Sequence, residues 1–156
     1  MKQLYWAAVG YTALGLPSGL FYREFTKAHQ FTGKTELAVI HTHLLALGTL
    51  FFLIVLALEH QLALSNTRAY RWFFAVYNIG VLWATTCMTI IGARTVLGHG
   101  EYTPLSEVSG VGHVLLTIGF VLFFVTVHQA ITARREEPVP SIPDPDGHNV
   151  EIHTRT

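Results

Sequence analysis

Residues 38–48 read AVIHTHLLALG and continue through residues 49–58 as TLFFLIVLAL, so His41 and His43 stand one residue apart near the start of a long apolar run. The run is long enough for a hydrocarbon core, which takes about 20 helical residues to cross. In a helix each residue turns ~100° and rises ~1.5 Å, so positions 41 and 43 point ~200° apart and differ in depth by ~3 Å. The two imidazoles therefore cannot chelate one ion together. A helical pair built for one metal is spaced i, i+4, as in H-E-x-x-H, and that spacing is absent here. Each histidine needs a partner of its own. In the simplest case both are interfacial groups hydrogen-bonded to a loop or a neighbouring helix. Two in succession that face apart inside an apolar helix point instead to a functional site, because ionisable groups at membrane depth are costly to keep.

Composition supports a membrane chain. Of 156 residues, 51% are hydrophobic and 13% charged, and the mean hydropathy of +0.40 exceeds that of an ordinary soluble domain. The formal net charge is zero, so there is no chain-wide basic surface for nucleic acid. The single cysteine, Cys87, lies in an apolar run, excludes an intrachain disulfide and reads as a packing residue.

Four segments qualify as spans: Leu4–Tyr22, Leu37–Leu58, Trp72–Leu97 and Val111–Ile131. Each is expected to be an α-helix, since a span must satisfy its backbone hydrogen bonds internally. The fold class is thus all-α, with four transmembrane helices in up-down order. REFTKAHQFTGKTE, EHQLALSNTRAYR and GHGEYTPLSEVSG, which carry the charges and Pro104, are the expected connections. The transmembrane domain is placed at residues 1–133. The proline- and acid-rich residues 134–156 are expected to form a flexible tail. GLPSGLFYREF has no A-x-A-like cleavage site, so the first segment is expected to stay as a helix.

An even number of spans puts both termini on one side. Lys2, Arg68, Arg71, Arg134 and Arg135 fall there, and Arg23, Lys27, Lys34 and Arg94 fall on the other. The positive-inside rule then makes the termini cytoplasmic. Arg23, Glu24, His41, His43, Arg94, His99 and His113 gather on the outer side.

HTHLLALGTLFFLIVLAL resembles the tenth helix of the catalytic subunit of haem-copper oxidases, where an H-x-H pair serves two different haems. A similar H-A-H segment opens a helix in nitric-oxide-response membrane proteins that carry haem and copper. Over its length, through GLPSGLFYREFTK, HTHLLALGTLFFLI, WFFAVYNIG and SGVGHVLL, the chain also resembles a family of small bacterial four-helix membrane proteins of unassigned function.

The oxidase resemblance implies an architecture and a cofactor. The oxidase subunit has twelve helices in three four-helix arcs, and this chain looks like one arc. Three copies around an axis would rebuild the layout as a homotrimer, with a b-type haem at each interface held by His41 of one copy and His43 of the next. The rival arrangement is a haem within one bundle, ligated by His43 or His41 and by His113. The oxidase copper needs further histidines, two of them adjacent on one helix, and residues 72–97 contain none, so copper is not expected. With two histidines on each iron no position remains for a gas, which suits electron transfer or redox sensing. C-x-x-C-H is absent, so haem attachment is expected to be non-covalent. The electron donor, whether a quinol or a protein, is not indicated.

Arg94 and Arg23 are candidate partners for haem propionates, which suit the guanidinium donors. Each could equally snorkel to the interface, and Arg23 could pair with Glu24 or Glu36. His113 is a ligand, a group orienting one, or a histidine at a helix start; His99 reads as a loop residue and His60 and His128 as interfacial. Gly15 and Gly19 flank Pro17 in a close-packing spacing with an expected kink, and Gly48, Gly110, Gly112 and Gly119 are further small residues for helix contacts. Asn78 needs an interhelical partner. Tyr5, Trp6, Tyr70, Trp72 and Tyr102 fit aromatic belts. The sequence thus predicts a bis-histidine haem protein of the bacterial cytoplasmic membrane. An oxidoreductase acting on nitric oxide or oxygen, a haem transporter or chaperone, and a cofactor-free structural protein remain as alternatives.

Overall fold

The structure is a computed structural model that describes residues 1–99 and 103–135. The described residues form four long helices: α1 (Lys2–Ala28), α2 (Leu37–Leu62), α3 (Tyr70–Val96) and α4 (Thr103–Arg135). The order is the expected one, with longer helices. α1 runs past Tyr22 through Arg23, Glu24 and Lys27, because nothing between Tyr22 and Ala28 breaks a helix. α4 begins at Thr103, with Pro104 in the first turn where its missing N–H costs nothing. The stretch expected to be a connection up to Gly110 is therefore largely helical, and His113 lies well inside α4 rather than at its start. Arg134 and Arg135 are also helical and form the end of α4. The expected tail beyond them, and Tyr102, lie outside the described residues.

α2, α3 and residues Glu107–Arg135 of α4 are long and apolar enough to cross a membrane. The expected fourth span, α1, has 27 residues but less apolarity, because Gly10, Tyr11, Thr12, Gly15, Pro17, Ser18 and Gly19 dilute its leucines. Three candidate spans, not four, meet the criterion.

α2 carries a feature that its sequence did not signal: residues Leu44–Leu50, directly after His43, are π-helical. The wider turn re-aims the second half of α2 relative to the first and leaves the Leu47 carbonyl to accept a 3.0 Å hydrogen bond from Tyr77 Oη. α2 ends at Ala63, which is left-handed at φ 51°. There the buried Glu59 carboxylate accepts from the Ser65 N–H at 2.8 Å and from Ser65 Oγ at 2.5 Å, closing the turn into α3.

The helices pack as an open arc: α1 lies on α2, α2 on α3 and α3 on α4, while α1 and α4 share no packed face among the described residues. Two interfaces depend on missing Cβ atoms. The Tyr11 ring of α1 occupies the space where a side chain on Gly48 of α2 would begin, and a Cβ on Gly112 of α4 would lie 2.9 Å from the Ala84 backbone nitrogen of α3. Across the middle, Phe51 of α2 stacks on Tyr77 at 4.3 Å and meets Phe120 and Phe123 of α4 at 5.3 and 5.2 Å. This knot joins the two helix pairs. Asn78 finds the partner it needs, since Tyr11 Oη donates to its Oδ1 at 2.9 Å.

Gly112→Ala is expected to destabilise the fold by about 1–3 kcal/mol, the usual cost of overpacking. Gly10→Ala, with nothing within 4 Å, should stay within about 0.5 kcal/mol of the parent. Reversible unfolding in mild detergent micelles measures both.

Candidate functional site

The end of the bundle where α1 finishes and α2 starts gathers the histidines. His41 and His43 lie in the first two turns of α2, ahead of the π segment, so their ~200° separation holds. Between them runs the buried stripe Leu37, Ile40 and Leu44. His41 faces α1: its Cβ and Cγ lie 3.6 Å from the point where a Cβ on Gly19 would stand. The residue is half-buried, and its Nδ1 is fully buried with no hydrogen-bond partner among the described residues. An orphaned ring nitrogen of this kind costs desolvation energy unless something binds it.

His43 lies on the opposite flank. His43 Nδ1 is 2.8 Å from the Val39 carbonyl. A carbonyl only accepts, so Nδ1 carries a proton, and in the neutral ring the lone pair is then on Nε2, an atom able to ligate a metal.

Among the described residues α4 packs on α2 chiefly along the Phe51–Leu62 half, and the first half of α2 packs chiefly on α1 and α3. His113 is exposed and lies seven residues before Phe120, which brings it within ~20° of the same direction on α4. Phe120 is the residue that meets Phe51 of α2. Counting along the helix, His113 stands ~10 Å above Phe120, and His43 lies beyond Phe51 on the far side of the π-helical segment of α2. His113 thus shares the α4 face of Phe120, and His43 precedes Phe51 on α2, so both histidines lie toward the same end of the bundle from the Phe51–Phe120 contact.

The remaining candidates lie elsewhere. Arg94 is half-buried in the last turn of α3. Gly92, two residues earlier, abuts Leu37 of α2, so Arg94 is turned ~200° away from that contact. Arg23 does not close α1; it is exposed, with Nε 3.7 Å from the exposed Glu24 carboxylate. His99 is exposed in the turn after α3, where its N–H donates to the Arg94 carbonyl at 3.0 Å. His60 and His128 are exposed near the other end. Among the described residues no three His, Cys, Asp or Glu side chains converge, so the histidines here can offer pairs and not a three-ligand cage. Sequence reading missed the buried Glu59, whose position one turn before a helix end was a usable capping signal.

If His43 is held by Val39, histidine-labelled protein in micelles should show a ¹⁵N signature of an Nδ1–H imidazole that disappears in His43→Asn. Assignment of His43 to the Nε2–H tautomer would contradict the geometry.

Residues 1–130 match the family described as protein of unknown function (DUF2871). Neither the curated proteins nor the solved structures give a match.

Proposed function

The chain belongs to the DUF2871 family, and for it we propose a membrane haem protein in which His43 and His113 hold one b-type haem between α2 and α4. The observation that supports this reading is the Val39 carbonyl holding His43 Nδ1, which leaves Nε2 of the neutral ring free to ligate, on a helix whose Phe51 meets the Phe120 face of α4 that also carries His113. The residues suit the group physically: an apolar macrocycle needs the floor made by Phe51, Tyr77 and Phe120 and a space that α2 and α4 do not close. A haem with two imidazole ligands supplies one-electron transfer and keeps no position open for a gas. The protein's own part is to hold both imidazoles, exclude water from below and fix the tautomer of His43 through Val39. Electron transfer or redox sensing in the membrane follows from this set. The reading includes α1 as a fourth span, because its 27 residues lie along α2 over the same depth. It also takes up the oxidase-like arc, which the unclosed order α1–α2–α3–α4 favours.

One observation favours a second arrangement: the orphaned, buried Nδ1 of His41 on the opposite flank of α2. In that arrangement His41 of one copy and His43 of the next hold a haem shared within a homotrimer, and binding of haem stabilises the assembly that completes the site.

Protein purified from haem-replete cells is expected to be coloured, with the spectrum of a six-coordinate b-type haem. His43→Ala and His113→Ala should each abolish that spectrum, while His60→Ala and His128→Ala keep it. Under the shared arrangement His41→Ala abolishes it and His113→Ala does not, and co-expressed His41→Ala and His43→Ala chains recover part of it. A colourless protein that also fails to bind added haemin overturns the haem reading.

A further inference from the structure

The face of α3 turned away from α2 carries an apolar groove of about 440 Å³, walled by Ile79, Trp83, Cys87 and Ile90 and, from α4, by Val108. We propose that this groove holds one acyl chain of an anionic phospholipid whose phosphate is bound by Arg94.

The groove is a built feature. Trp83 Nε1 donates a 3.0 Å hydrogen bond to the Val108 carbonyl, which ties the indole to α4 as a fixed wall. Its length identifies the occupant. From Ile79 to Ile90 the helix rises ~16 Å, which matches half of the ~30 Å hydrocarbon core. A helix from a second copy would need a face running the full length of α3, whereas this groove stops at Ile79, well short of the start of α3 at Tyr70. One leaflet's acyl chain fits that span. Arg94 follows Ile90 by four residues and Cys87 by seven, so it stands on the groove's own face about one turn, ~6 Å, beyond its end. That is the depth of a head group when the chain below fills the groove. A guanidinium has five donors and can take a phosphate oxygen pair alongside another contact. The charge of Arg94 selects an anionic head group over a zwitterionic one. The inference does not depend on haem.

The test uses full-length protein with Trp6→Phe and Trp72→Phe, which leaves Trp83 as the single indole of the original three. The protein is placed in phosphatidylcholine nanodiscs doped with bromine-labelled phosphatidylglycerol or with bromine-labelled phosphatidylcholine. Trp83 quenching is expected to half-saturate at about fivefold lower mole fraction for phosphatidylglycerol, the scale of one basic residue acting on an anionic lipid. Arg94→Gln should bring the two curves together, and Arg94→Lys should keep part of the separation, which distinguishes a lost charge from a lost fold. Coincident curves in the parent protein overturn the head-group contact. Absence of quenching by either lipid shows the groove covered by protein and overturns the proposal as a whole. As an independent reading, Cys87→Phe, which fills the groove, should lower the phosphatidylglycerol retained through native mass spectrometry; unchanged retention also counts against it.

Discussion

Helices in a bilayer gain little by exchanging lipid for each other, since both surfaces are equally apolar, so what holds them together is close packing and interhelical hydrogen bonds. This chain meets that constraint at positions without a Cβ. The Tyr11 ring uses the space above Gly48 to bring α1 onto α2, and Ala84 uses the space above Gly112 to bring α3 onto α4. The hydrogen bonds that accompany these contacts are few and internal: Tyr11 to Asn78, Thr12 to Thr49 and Tyr77 to the Leu47 carbonyl. The fold is two tight pairs joined side by side.

The join is aromatic, and it lies away from the histidines. Phe51, Tyr77, Phe120 and Phe123 fill the region where α2, α3 and α4 meet, with ring centroids 4.3 to 5.3 Å apart. Among the described residues α4 packs on α2 chiefly from Phe51 onward, while the first half of α2 packs chiefly on α1 and α3. The π-helical turns between His43 and Phe51 allow both conditions at once: a first half aimed at α1 and α3, and a second half aimed at the aromatic knot. Longer π runs are rare and concentrate where function sets the geometry.

The same arrangement gives the two histidines unlike surroundings. His41 is pressed against the Gly19 position of α1 and has a buried nitrogen with nothing to bind, while His43 is oriented by its own helix through the Val39 carbonyl. One H-x-H motif thus places one imidazole oriented by its own helix and another whose buried Nδ1 has no hydrogen-bond partner among the described residues. That asymmetry is the structural basis for weighing a site within one chain against a site shared between copies.

What the sequence by itself determined were the properties that depend on local periodicity and composition. The helical class, the order of the four helices, the opposed directions of His41 and His43 and the need of Asn78 for a partner follow from apolar run length and from the ~100° turn per residue. The chain ends of those helices were misjudged at Ala28 and Thr103, because polar residues near a membrane surface remain good helix formers and hydropathy alone stops too early. The tertiary structure decided what depends on which helix lies beside which. It set the open order that keeps α1 from α4, the π-helical turn after His43, the burial of Glu59 in a capping role, and the turning of Arg94 away from α2. It also placed His113, read as a helix-start residue, well inside α4. No periodicity carries this information, because a contact between helices is fixed by where glycines let backbones approach and by where aromatic side chains hold them together, and those are properties of pairs of segments distant in the chain.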